Sequence, residues 1–157
     1  MITIPLKTKA CMSHLLLKDT FDTFSFIEGE ITTFNKFTID GFLQKDFYEE
    51  APKDTHSHWK DVREFCFGII RGKRTPLYFK LILSLAPEKF ADFLKEYEVS
   101  GFHPETIQGM YLNLSYDGTN LTCITGISLK TFTMDKTLEK AWDTYAQKML
   151  LNLELVL

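Results

Sequence analysis

Residues 109–135, GMYLNLSYDGTNLTCITGISLKTFTMD, alternate apolar and polar side chains on either side of an Asp117-Gly118 pair. An Asp-Gly step between two alternating runs is the strongest short-range hairpin signal a sequence offers. The stretch is therefore expected to form two antiparallel strands, the second running on through Phe132. Working outward, Leu77, Phe79, Leu81, Leu83 and Leu85 also recur at every second position, which predicts a strand, and the density of apolar residues suggests a central one. Ile2, Ile4 and Leu6 predict a short strand, and Pro5 places it at an edge.

Helical spacing fills the intervals. It predicts a helix over 8–18 with Thr8 as N-cap, one from Trp59 that stops at Gly72, and one opened by Pro87. A fourth follows Asp135, carrying Leu138, Trp142, Tyr145 and Met149 inward. Residues 24–39 read as a second hairpin, with its turn at Glu28-Gly29 and its end at Asp40-Gly41. The polar stretch 43–57, which contains Pro52, is expected to be irregular, and Leu151, Leu153, Leu155 and Leu157 alternate as a final strand. The fold expected is α+β in one domain over 1–157, a largely antiparallel sheet with about four helices.

The order strand, helix, hairpin, helix occurs twice, over 1–75 and 76–157, with residues 2–17 resembling 81–96. Duplication and the coincidence of two amphipathic units both remain open. The element order is shared with sliding clamps and with the saddle of TATA-binding proteins, a likeness of architecture that carries no function.

At 157 residues the chain can bury a sizeable core, and 14 Phe, 6 Tyr and 2 Trp make that core aromatic. A formal charge of −3 argues against a surface that coats nucleic acid or anionic membrane everywhere and leaves room for a local basic face. Cys11, Cys66 and Cys123 are widely spaced in apolar sequence, as expected of buried thiols in a reducing, cytoplasmic setting. No run approaches the ~18 apolar residues of a membrane span. The N-terminus also lacks the apolar run and cleavage site of a signal peptide.

Candidate chemistry is sparse. Arg71, Lys73 and Arg74 form the densest basic cluster, joined as candidate binding residues by Lys80 and Lys130. Cations complementing a helix C-terminal dipole are the simpler explanation of the cluster. Gly72-Lys73 follows a helix and precedes a strand, the reverse of a phosphate-binding loop. His56 and His58, near Asp54, are weak metal candidates, and Cys11 with His14 share a helix face without a second ligand pair. Asp22, Asp40, Asp46, Asp117 and Asp135 could pair for acid and base work, but Asp40 and Asp117 suit turns and Asp135 a helix cap. Thr122, Thr125, Ser128, Thr131 and Thr133 could line a polar surface or simply face solvent. No nucleophile sits in a recognisable catalytic context, and no cofactor is called for.

Residues 31–41 (ITTFNKFTIDG), 59–80 (WKDVREFCFGIIRGKRTPLYFK) and 116–143 (YDGTNLTCITGISLKTFTMDKTLEKAWD) resemble a family of small clostridial proteins of unknown function. The resemblance implies a bacterial, single-domain, intracellular protein and brings no activity with it. The expectation is a non-enzymatic binding or adaptor protein that touches nucleic acid or a protein partner through the basic residues. The alternative is a small enzyme whose site is assembled from dispersed carboxylates and histidines, and a homodimer joined through the C-terminal strand is a third reading.

Overall fold

Residues 107–129 become a long hairpin because every second side chain on both arms is apolar and the turn between them satisfies its own backbone. In the computed structural model, which describes residues 1–157, β5 (Ile107–Tyr116) and β6 (Leu121–Leu129) pair from Ile107↔Leu129 to Tyr116↔Leu121. Asp117 Oδ1 accepts the amide hydrogens of Asn120 and Thr119 at 2.7 and 2.9 Å, while Gly118 adopts φ 97°. Those two bonds hold the Asp117 carboxyl below the ordinary carboxylate range.

Four more strands complete one antiparallel sheet: β1 (Thr3–Leu6), β2 (Ser25–Thr32), β3 (Lys36–Asp40) and β4 (Tyr78–Ser84), in the order β1-β6-β5-β4-β2-β3. β4 lies at the centre and β1 at an edge, as their sequences indicate. Period-two alternation gives the sheet an inner face of Ile31, Phe79, Leu81, Leu83, Leu112, Leu114 and Cys123, all buried. Its outer face, which carries Lys80, Ile82, Tyr111, Asn113 and Ile124, is only partly buried.

The helices α1 (Thr8–Leu16), α2 (Trp59–Ile70), α3 (Phe90–Glu96) and α4 (Thr137–Asn152) all pack on the inner face. The Trp59 indole N–H donates to Leu15 O at 2.8 Å, tying α2 to α1, and its ring lies against Phe26 of β2. Phe93 of α3 meets Trp142 and Tyr145 of α4, and Trp142 Nε1 donates to Tyr111 O at 2.9 Å. The α+β fold is thus two layers around a single core of 31 buried apolar residues. Each fully buried large side chain in it contributes about 1.5–3 kcal/mol. No helix is long and apolar enough to cross a membrane.

Five local expectations need correction. Glu28-Gly29 is not a turn: β2 runs through it, and the chain reverses at residues 33–35, where the Thr33 amide donates to Asn35 O. Gly29 is there because a Cβ would come within 2.9 Å of Leu81 and 3.0 Å of Phe26. Thr8 is the first helical residue of α1 and not its cap; Lys7 holds that place without a side-chain bond. The second arm of the long hairpin stops at Leu129 instead of Phe132. Asp135 bonds the Thr137 amide at 2.9 Å but sits one residue before the cap of α4. Finally, α4 continues to Asn152, so residues 151–157 are not a strand. Only the tip bridges β1, through Leu6↔Val156 and the Lys7 amide to Leu155 O.

The strand order does not confirm the duplication. β1 lies at an edge beside β6, whereas β4 is flanked by β5 and β2.

Candidate functional site

At one end of the sheet, α2 finishes at Ile70 and Arg71 leaves it with extended backbone, φ −62° and ψ 145°. Gly72, at φ 150°, then swings the chain toward β4, where buried Pro76 anchors it. Arg71, Lys73 and Arg74 are all exposed on this connection. None of them enters an ion pair. Hydrogen bonds from lysine and arginine side chains come from Lys45, Arg63 and Lys89, so the cluster does not cap the last carbonyls of α2. The three cations line a groove of about 610 Å³ together with Phe34, Phe37 and Leu77. Phe34, in the 33–35 turn, is 87% exposed, and Leu77 is 67% exposed. The Phe34 and Phe37 rings meet edge to face at 5.8 Å.

The five basic candidates do not form one surface. Lys80 stands on the outer face of β4, between Glu30 of β2 and Ser115 of β5, while Glu30 is taken by Lys36 at 2.8 Å. Lys130 follows β6 at the opposite end of the sheet from the cluster, a distance of roughly 20 Å for a seven-residue strand such as β4.

That opposite end holds a second cleft of about 680 Å³, between residues 42–56, the Pro87–Lys89 turn that opens α3, and the Pro104–Thr106 turn that opens β5. Lys130 and His56 line it, as do Asp54, Glu105, Gln108 and Tyr111. His56 pairs with Phe42 in an isolated bridge, ring edge against ring at 5.8 Å, and its Nδ1 lies 3.0 Å from Thr55 Oγ1. Burial pushes its pKa down, opposed in part by Asp40. Asp54 is engaged by His58, Oδ2 to Nε2 at 3.1 Å. Tyr111 lies flat over Gly109: a Cβ on that glycine would come 2.3 Å from the ring. Burial raises the Tyr111 phenol.

The remaining candidates are occupied elsewhere. His58 and His56 gather no third ligand, since no group of three or more His, Cys, Asp or Glu side chains is placed to hold a metal ion. Cys11 is buried, and its helix neighbour His14 bonds Thr20 Oγ1 at 2.7 Å. Burial pushes the thiols of Cys11, Cys66 and Cys123 up to about 12, which keeps them protonated and unreactive. Asp22 pairs with Arg63 of α2 at 3.1 Å, and Asp40 accepts the Phe42 amide at 2.9 Å. Asp46 lies in the exposed Lys45–Phe47 turn, outside the cleft. Ser84, which lines the cleft, is engaged by neighbouring backbone, donating to Leu85 O and accepting from the Met110 amide of β5. Thr125 turns inward to Asp143 of α4, while Thr122 and Ser128 stay on the outer face.

Reading the sequence missed Phe34, Phe37, Glu105, Gln108 and Tyr111. Phe34 did leave a signal, as a large aromatic in an otherwise polar turn. Phe37 shares that hairpin, and Glu105, Gln108 and Tyr111 share the stretch 105–111, which only the fold brings to His56 and Lys130.

No match to the chain was found among curated proteins or among solved structures. A family model described as a family of unknown function, DUF5721, matches residues 14–156, nearly the whole two-layer unit. The chain belongs to the DUF5721 family.

Proposed function

We propose that this is a non-enzymatic binding protein of the bacterial cytoplasm, and that the groove at Arg71, Lys73 and Arg74 takes a short run of single-stranded nucleic acid. One observation supports the reading above all: three exposed cations without an ion-pair partner surround a groove whose apolar wall is open to water. Phosphates require cations, and unpaired bases require flat apolar surface on which to stack. Phe34 and Phe37 offer the second beside the first. Three free, buried cysteines accord with a reducing compartment. The net charge of −3 gives the rest of the surface no overall attraction for nucleic acid.

Fluorescence anisotropy with labelled single-stranded oligonucleotides tests the reading. The triple replacement Arg71→Ser, Lys73→Ser, Arg74→Ser is expected to weaken binding by at least about tenfold, and Phe34→Ala to cost about 1–3 kcal/mol from one lost stacked base. Undiminished binding by the triple variant would overturn it. So would a cluster-dependent complex with an acidic protein that the oligonucleotides fail to displace.

A further inference from the structure

The cleft at the other end of the sheet is a separate feature. Its volume of about 680 Å³ falls within the range of small-molecule sites, and apolar Ile27, Phe42, Phe90 and Ile107 line it beside a few convergent polar groups. Four titratable side chains besides Tyr111 reach it, and two of these each hold one hydrogen bond within the protein. Asp54 is bonded to His58, and His56 is bonded to Thr55. Glu105 and Lys130 remain, one anion and one cation, and neither enters an ion pair. They issue from adjacent backbone: the Lys130 amide donates to Thr106 O at 2.8 Å, one residue from Glu105. Both residues therefore line the cleft from neighbouring backbone, beside its apolar lining.

A ligand matching that layout carries a cation and an anion close together at one end and a hydrophobic body at the other. An α-amino acid has this form, with ammonium and carboxylate on a single carbon. We infer that the cleft binds a free amino acid with a large apolar side chain, its carboxylate on Lys130, its ammonium on Glu105 and its side chain against Phe42, Phe90 and Tyr111.

Isothermal titration calorimetry of the full chain tests this with L-phenylalanine, L-leucine and L-tryptophan, alongside phenethylamine and 3-phenylpropanoate, which each keep one of the two charges. At least one amino acid should bind at millimolar concentration or below, and the two half-analogues should bind at least about tenfold more weakly than phenylalanine. Lys130→Ala should weaken phenylalanine and 3-phenylpropanoate while leaving phenethylamine unchanged; Glu105→Gln should do the converse. The inference is overturned if no amino acid binds, if a half-analogue matches phenylalanine, or if both replacements weaken all three probes alike. Because the probes and residues differ from those of the cationic groove, failure here leaves the nucleic-acid reading standing, and the reverse holds as well.

Discussion

A Cβ on Gly41 would lie 2.0 Å from the carbonyl oxygen of Phe26 and 2.8 Å from that of Ile27. Backbone cannot yield there as a flexible side chain can, because the Gly41 amide itself donates to Ile27 O at 2.9 Å. Gly41→Ala is accordingly expected to cost roughly 3 kcal/mol or more, read as a lowered urea midpoint at unchanged slope. A loss under roughly 1 kcal/mol would mean that the passage from β3 into residues 42–57 is looser than described. Sequence alone located a boundary at Asp40-Gly41 but attributed it to turn formation. The same reasoning failed at Gly29, where Leu81 and Phe26 crowd the strand and no reversal occurs. A glycine that admits a positive φ and one that admits a close neighbour look identical in sequence, and the neighbour is the part that only folding reveals.

The elements best read in advance were those whose signals agree with each other. In the β5–β6 hairpin, alternation, turn chemistry and an inward row of Leu112, Leu114, Leu121 and Cys123 all point the same way. The error at its far end has a simple cause: alternation continues beyond Lys130, but β5 has no residue to pair there, since Ile107↔Leu129 is the last rung. A strand ends where its partner ends. Residues 151–157 failed for a related reason. Leucines at every second position also suit a helix that buries every fourth residue, and Leu138, Trp142, Ala146 and Leu150 carry α4 through Asn152. Residues 153–157 then form a short clasp on the outer edge of β1, with Leu155 fully buried and the Leu157 amide donating to Pro5 O. Leu155→Ala should therefore destabilise the protein by about 3 kcal/mol. In a chain of this size that is a fall of roughly 6–12 °C in Tm. An unchanged Tm would show that the clasp is not seated.

Across the whole molecule, all four helices cover one face of the sheet, and the two clefts sit at its opposite ends. The division separates residues that sequence had grouped: Lys130 leaves the basic cluster and joins His56 and Glu105. Charge density along the chain groups Arg71, Lys73 and Arg74 because they share one connection. It could not show that they would lie beside Phe34 and Phe37, which the β2–β3 turn delivers from about forty residues away. The direct test of nucleic acid in that groove is the salt dependence of oligonucleotide affinity. With three phosphates neutralised at about −0.7 each, log K should fall with log salt at a slope near −2, and the triple serine variant should be nearly flat. A wild-type slope near zero, or the same slope in both proteins, would contradict the placement of nucleic acid in the cationic groove.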